Sequence, residues 1–232
     1  MKGAVTGLLI LASGLTVAGL APSASAAAPT VNLGSASNFS VLAAAAATVP
    51  GATIPGEVGA GAALTTDAGT VLGSTLHTSN DAATMAALAD ATTAYQTLSA
   101  LAPTGTLTGD DLAGQVVKPG VYRRVAAYAM TTPVTFDAGG NSNAYFIMQG
   151  SAALNTTAGT TMNLVNGAQA SHIFWVTVGA ATLGASSNFY GTMLSGAAVT
   201  VGASTHVHGA ALSVGAAVTL GASVTFSPIS SL

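Results

Sequence analysis

The chain has no cysteine and few charged residues, and each shortage excludes a class of protein. Without cysteine there are neither disulfides nor thiolate metal sites. Charged residues make up 5% of the sequence, and beyond residue 26 three basic side chains stand against seven acidic ones. A net charge of −4 excludes a basic surface for nucleic acid or anionic lipid. No later apolar run reaches the roughly 18 residues that span a bilayer. From the charge we expect no nucleic acid as partner, and from the short apolar runs we expect no membrane.

The first 26 residues have the pattern of a secretory signal peptide. Lys2 supplies a positive charge, Leu8 to Leu20 is apolar, and Ala24 to Ala26 forms an A-x-A cleavage site. We therefore expect cleavage after Ala26, secretion, and one domain over 27–232. The chain shows no sorting signal or second domain, which favours a freely diffusing monomer.

A repeat of about 18 residues is the clearest feature of the C-terminal third. Thr182, Thr200 and Thr219 hold the same place in it, at intervals of 18 and 19 residues, each between aliphatic neighbours. This alternation predicts a short strand with threonine outward, and the Gly-Ala-Ser that follows each strand predicts a corner. A period of this length predicts a solenoid of stacked coils, with equivalent residues about 4.8 Å apart.

One segment interrupts the β pattern. Residues 80–101 contain no glycine or proline, and their larger side chains recur at helical spacing, which predicts a single long helix. One residue among 79–81 is expected to cap its start, and Pro103 follows its end. The predicted buried stripe consists of Met85, Leu88, Tyr95 and Leu98.

The remaining sequence predicts short strands separated by glycine and proline. They are expected within 31–76 and, after the helix, around residues 116, 121–123, 134–136, 144–149, 162–165 and 173–178. The segments 145–149 and 172–177 are the bulkiest of these strands. We therefore expect them to form the thickest part of the core or the seat of the helix.

Several motifs in this order resemble a known family. They are Asn32 to Ala43 (NLGSASNFSVLA), Lys118 to Tyr122 (KPGVY), Asn143 to Gln149 (NAYFIMQ) and Asn166 to Trp175 (NGAQASHIFW). Together they resemble the microbial ice-binding, or antifreeze, proteins, long known only as a domain of unknown function. The resemblance implies a mainly β fold: a right-handed β-solenoid of roughly triangular cross-section, a single α-helix alongside, and coils stacked out of sequence order. It also implies secretion and ice as the partner.

Three outward faces of the repeats compete as the binding surface. The first carries Thr182, Thr200 and Thr219. The second carries Asn188, Tyr190, His206, His208 and Thr225, and the third carries Met193, Ser195, Ala211 and Ser213. Threonine suits ice because its χ1 is stiff and it presents a hydroxyl beside a methyl. The first face is therefore the candidate ice-binding site, and the third is the expected bed for the helix.

Two further threonines are candidates for ice contact. Thr157 and Thr160 lie in a Thr-Ala-Gly-Thr sequence, similar to a Thr-Ala/Gly-x-Thr motif associated with ice contact in some relatives. The alternative is that threonines populate strands and corners because of their β-propensity alone.

Other functions have weaker support in the sequence. His206 and His208 have i, i+2 spacing that suits a metal, but no third ligand is near in sequence, so we expect no metal and no cofactor. Asp110 and Asp111 suggest paired catalytic carboxylates, as in a polysaccharide lyase or hydrolase, but beside Gly109 they are typical of a turn. We therefore expect no enzyme. The alternative to ice binding is a non-catalytic extracellular adhesin or matrix protein.

Overall fold

A computed structural model of the chain describes residues 31–77, 79–109 and 111–227. These residues form a mainly β structure with parallel strand pairing, two short 3-10 helices (Gly34–Asn38 and Ala170–His172) and one α-helix, α1 (Ala82–Ala100). The predicted signal peptide lies outside them. No helix in this part of the chain is long and apolar enough to cross a membrane. The strands are β1 (Phe39–Ala43), β2 (Ala47–Val49), β3 (Thr53–Ile54), β4 (Glu57–Ala60), β5 (Leu64–Thr66), β6 (Val71–Leu72), β7 (Val116–Val117), β8 (Gly120–Arg124), β9 (Tyr128–Met130), β10 (Val134–Asp137), β11 (Phe146–Gly150), β12 (Leu154–Thr156), β13 (Met162–Val165), β14 (Ile173–Thr177), β15 (Ala181–Leu183), β16 (Asn188–Ser195), β17 (Val199–Val201), β18 (His206–Ser213), β19 (Val218–Leu220) and β20 (Thr225–Ser227).

The strands form stacks in which successive circuits of the chain, here called coils, lie side by side. The threonine stack consists of β9, β12, β15, β17, β19, β2 and β5, in that spatial order. The helix-side stack consists of β8, β11, β14, the C-terminal halves of β16 and β18, then β1 and β4. The histidine stack consists of the N-terminal halves of β16 and β18, then β20, β3 and β6. A three-stranded sheet of β7, β10 and β13 continues it through a bridge between Thr161 and Asn188.

The first coils of the chain stack on the last ones. β2 pairs with β19, β1 with β18 and β3 with β20. The length of α1 explains how the chain reaches the other end: its 19 residues span about 28 Å. The seven strands of the threonine stack cover about 29 Å at about 4.8 Å per strand. The helix therefore returns the chain along the whole stack, and stacking out of sequence order is confirmed.

The helix packs against the helix-side stack through small residues. Asp81 caps its start by accepting a hydrogen bond from the Thr84 backbone N–H at 2.7 Å, so the expected cap is confirmed. Met85 was predicted on the buried stripe but is 46% exposed, because the alanines bring a different line of the helix close to the sheet. The buried positions are Thr84, Ala87, Leu88, Ala91, Ala94 and Leu98, and they face a cluster that includes Leu42, Ile147, Phe174, Val176, Leu194 and Leu212.

The bulky strands β11 and β14 serve both the core and the helix. Trp175 is fully buried in the core and makes edge-to-face contacts with Tyr128 and Phe136, each at 5.9 Å between ring centroids. Neighbouring residues Phe174 and Val176 point the other way, into the cluster beneath α1. The sequence does not predict strands β9 and β12, since Tyr-Ala-Met and Leu-Asn-Thr lack the aliphatic-Thr-aliphatic pattern of the repeats.

The predicted bed for the helix is wrong in its choice of residues. Met193 and Ala211 belong to the core, whereas the side chains under the helix include Leu194 and Leu212. Strands β16 and β18 bend at Gly191 and Gly209 but continue without an inserted residue, so the alternation that begins at Asn188 is kept. Ser195 and Ser213 are buried and donate hydrogen bonds to backbone carbonyls.

His77 ties the start of α1 to the stack, and it makes stability depend on pH. Its ring contacts Asp81 through Nδ1 at 2.8 Å and Glu57 through Nε2 at 3.1 Å. Burial acts to lower the pKa of His77, but the hydrogen bonds to Asp81 and Glu57 outweigh it and raise that pKa overall. The stability that His77 contributes is therefore present below about pH 6.5 and is lost as pH rises through the raised pKa.

We expect His77→Gln to remove this contribution. The free energy of unfolding, measured by urea denaturation, should differ between parent and variant most at pH 5.5, and the difference should shrink towards pH 8.5. The parent must be compared with the variant because a second histidine, His208, also makes stability depend on pH. Burial and, to a lesser extent, repulsion from His206 lower the pKa of His208. His208 therefore costs stability as pH falls. A difference between parent and His77→Gln that grows as pH rises would contradict the prediction.

Candidate functional site

The three predicted threonines lie side by side on the threonine stack. Thr182 on β15 pairs in register with Thr200 on β17, which pairs with Thr219 on β19. Each threonine is exposed, while the residues immediately before and after it are buried. The alternation read from the sequence therefore places three hydroxyls and three methyls in a straight row about 4.8 Å apart.

The row continues onto the first coils of the chain. Thr48 on β2 pairs with Thr219, and Thr65 on β5 pairs with Thr48, so five consecutive coils present threonine. At the other end Asn155 and then Ala129 hold the same register. Thr48 and Thr65 were not predicted. All five row threonines share the tripeptide Ala-x-Thr, at 46–48, 63–65, 180–182, 198–200 and 217–219, but the same tripeptide at 82–84 and 158–160 lies outside the row, so it could not have identified them alone.

A parallel row of alanines accompanies the threonines. Two residues before each position of the row lies an alanine: Ala127, Ala153, Ala180, Ala198, Ala217, Ala46 and Ala63. Their carbonyls bind the next coil, for example Ala181 N–H to Ala198 O at 2.9 Å and Val199 N–H to Ala217 O at 3.0 Å. Because residues two apart share a face of a strand, the methyls fill the surface beside the threonines. The stack therefore carries two rows, one of alanine methyls and one of threonine side chains.

Close backbone contact at the corners keeps the coils in register. A Cβ on Gly202 would lie 2.5 Å from the backbone nitrogen of Ala185 on the neighbouring coil. Beneath the corner the carbonyl of Gly184 accepts hydrogen bonds from the hydroxyls of Ser187 at 2.7 Å and Thr205 at 3.0 Å. Both hydroxyl-bearing residues are buried, so they hold the corner from inside.

The other two candidate threonines do not join the row. Thr157 is exposed but follows the strand at the corner, where its hydroxyl lies 3.3 Å from the Thr131 carbonyl. Thr160 is 4% exposed, and its hydroxyl donates to backbone carbonyls of Met130 and Thr157 at 3.1 and 2.8 Å. Thr160 is therefore wrong as a candidate for ice contact, because the turn around Gly159 folds its side chain inward.

The histidine stack is less regular than the threonine stack. The rings of Tyr190 and His208 stack at 4.3 Å, and His206 lies 4.1 Å from His208. His206 Nε2 is 2.8 Å from the Ser227 hydroxyl. Over the described ranges of the chain, no three or more His, Cys, Asp or Glu side chains come together as a possible metal site.

Of the two adjacent aspartates, the structure describes Asp111, which holds a turn. Asp111 accepts hydrogen bonds from the Ala113 backbone N–H at 2.9 Å and from the backbone and hydroxyl of Thr131. These contacts fix the turn before the coil that contains β9, so the predicted turn role of Asp111 is confirmed. Asp110 lies outside the described residues.

The surface chemistry defines the class of protein. None of the seven strands of the threonine stack contains a charged residue. The stack presents a repeated, neutral array of methyls and hydroxyls, which suits recognition of a flat, periodic partner. The fold and this surface define a stacked-coil β protein with an uncharged, threonine-bearing face.

Comparison with known sequences places the chain within this class. The model of the family described as Ice-binding-like matches residues 21–225, and the chain belongs to that family. It is 34% identical over 172 residues to an ice-binding protein of Nostoc sp. (strain HG1), covering 73% of this chain and 63% of that protein. It is 31% identical to an ice-binding protein of Flavobacterium frigoris (strain PS1), covering 77% of this chain and 70% of that protein. The chain thus spans less than two thirds of the length of the Nostoc relative.

Solved structures show the same fold. An ice-binding protein from an Antarctic biological consortium superposes with a TM-score of 0.80 and 31% sequence identity, over 86% of this chain and 92% of that one. An ice-binding protein from the ascomycete Antarctomyces psychrotrophicus gives a TM-score of 0.75 and 28% identity, over 85% and 98% of the two chains. The resemblance read from the sequence motifs is therefore confirmed.

Proposed function

We propose that this chain is a secreted, non-catalytic ice-binding protein that adsorbs to ice through the threonine stack and thereby inhibits ice growth and recrystallisation. The proposal includes a right-handed solenoid of triangular cross-section and removal of residues 1–26 on export, so the secreted protein should begin at Ala27 by mass spectrometry. The observation that carries it is the unbroken row of Thr65, Thr48, Thr219, Thr200 and Thr182.

The row can order water in two ways. Each threonine hydroxyl can hydrogen-bond a water molecule, while the adjacent methyl leaves neighbouring waters to bond among themselves. Because threonine is branched at Cβ, few χ1 rotamers are open to it in a strand. Little side-chain entropy is therefore lost when the surface meets a crystal.

The two rows together form a two-dimensional array. Along the stack the repeat is about 4.8 Å, and between the alanine and threonine rows it is about 6.6 Å, two residues of strand. The array also lacks charge, so no strongly hydrated ion has to be stripped of water when ice approaches. A regular, neutral array favours a crystalline partner over an irregular one.

The other stacks are poorer candidates. The helix-side stack is covered in part by α1 and lies beneath a separate hydrophobic cluster. On the histidine stack the stacked rings of Tyr190 and His208 interrupt the surface. The threonine stack is left as the long flat face that solvent reaches.

Partition into growing ice tests the proposal. Fluorescently labelled protein should concentrate in a slowly growing ice hemisphere, and treatment with EDTA should leave the partition unchanged because the surface needs no metal. Label that stays in the liquid would refute ice binding. Activity that EDTA removes and zinc restores would instead implicate His206 and His208.

Growth of a single ice crystal provides the second readout: an ice-binding protein shapes and arrests the crystal, whereas an adhesin without ice activity leaves it unaffected.

A further inference from the structure

An open groove of about 650 Å³ runs beside the 3-10 helix Gly34–Asn38, away from the threonine stack. Its floor and wall cross consecutive strands of the helix-side stack, from Tyr145 before β11, through Phe174, Thr192 and Gly209, to Gly56 before β4. Six neighbouring strands at about 4.8 Å give the groove a length of about 24 Å. It is therefore long enough for an extended chain molecule.

One end of the groove is built from aromatic rings. The rings of Tyr145 and His172 are in tilted contact, with 4.5 Å between centroids and 36° between planes, and Tyr145 stacks with Phe174 at 6.2 Å and 22°. Tyr145 and His172 are half-buried, so they are held in place while parts of their rings stay open to solvent. Ring faces of this kind pack well against the apolar C–H faces of a sugar ring.

The polar groups of the groove are neutral and in part unpaired. Its lining contains no Asp, Glu, Lys or Arg, but it includes Asn38, Gln169 and Ser171. His172 Nδ1 is buried and has no hydrogen-bond partner. An unpaired buried polar atom costs free energy, so a rotation of the His172 ring that brought Nδ1 to a ligand hydroxyl would be favoured. Aromatic rings with a few convergent neutral hydrogen-bonding groups are the chemistry of a small-molecule or chain-ligand site.

From these observations we infer that the groove binds a neutral polysaccharide, with a sugar ring packed against the Tyr145 and His172 rings. The absence of charged side chains excludes an anionic glycan as the preferred ligand. Because the groove lies on a different stack from the threonine row, ice and polysaccharide can be bound at the same time. The protein would then hold an extracellular polysaccharide at an ice surface.

Affinity electrophoresis of the mature chain tests the inference. Native gels should contain mixed-linkage β-glucan, dextran or galactomannan as neutral probes, with alginate as the anionic control. We expect at least one neutral polysaccharide to retard the parent, and alginate to have no effect. Tyr145→Ala and His172→Ala should each weaken binding by roughly tenfold. Asn38→Trp, a change at an exposed position that fills the groove, should abolish retardation without disturbing the fold.

The chain offers a matched control for the aromatic change. Tyr190 is also a half-buried tyrosine in contact with a histidine ring, His208 at 4.3 Å, but it lies on the histidine stack. Tyr190→Ala should leave retardation unchanged. Equal loss in Tyr190→Ala and Tyr145→Ala would overturn the inference. The inference would also be overturned if no neutral polysaccharide retarded the parent. That outcome includes the case in which the residues before Val31, or a second copy of the chain, fill the groove.

The test is independent of ice binding. Thr200→Tyr should still be retarded by the neutral polysaccharide, whereas Asn38→Trp should still partition into ice. Failure of partition with intact retardation would refute the proposed function alone, and the reverse result would refute the groove alone.

Discussion

Thr200→Tyr is expected to remove most ice adsorption while leaving the fold intact. Thr200 lies on β17, the fourth of the seven strands in the threonine stack, so a protruding ring there lifts the largest area away from a flat crystal. Its side chain points outward between the buried Val199 and Val201, so the free energy of unfolding should change by about 0.5 kcal/mol or less. Partition into ice should fall roughly tenfold or more, equivalent to about 1.4 kcal/mol.

The matched control is Thr53→Tyr. Thr53 is also an exposed strand threonine, but it lies on the histidine stack opposite Thr225. It is a better control than His206→Tyr, because the His206 ring is engaged with Ser227 and His208. Thr53→Tyr should keep the partition of the parent. If Thr53→Tyr abolishes ice binding and Thr200→Tyr does not, the histidine stack is the binding face.

Gly202→Ala is expected to cause the largest loss of stability together with a loss of activity. The added methyl would meet backbone atoms of Ala185, the nitrogen at 2.5 Å and Cα at 2.8 Å, so neighbouring coils must separate. At this corner the Gly202 N–H also donates a hydrogen bond to the Leu183 carbonyl at 2.8 Å. This bond helps to hold Thr182 beside Thr200. Overpacking of this kind costs about 1–3 kcal/mol, which urea denaturation would detect. Partition into ice should fall because the row of threonines loses its register.

Gly69→Ala provides the comparison. Gly69 lies on the end coil, its backbone is in an ordinary conformation, and the nearest atom to an added Cβ is Gly51 Cα at 3.3 Å. The end coil can move outward, so the free energy of unfolding should stay within about 1 kcal/mol of the parent. Equal stability of the two variants would show that the corner at Gly202 has more room than the structure gives it.

The site was predicted in part because its signal is local. Thr182, Thr200 and Thr219 recur in nearly identical sequence, so the alternation of one coil predicts the next. Thr48 and Thr65 lie in less regular sequence, and their place in the row depends on pairing between β2 and β19, whose residues are about 170 apart in the chain. The prediction for Thr160 was wrong for the opposite reason. Its local motif is similar to one associated with ice contact, but the turn buries its hydroxyl against the Met130 carbonyl.

Features that depend on short-range physics could be predicted from the sequence. The alternation of aliphatic and threonine residues predicted which side chains face outward, and the Ala-rich segment without glycine or proline predicted a long helix at 80–101, which the structure has at Ala82–Ala100. Which coils are neighbours, and which face the helix covers, could be seen only in the folded chain. These depend on the match between the length of α1 and the height of the stack, and on unbroken alternation through Gly191 and Gly209. The first is a long-range packing condition, and the second depends on backbone angles at two glycines that the local sequence does not specify.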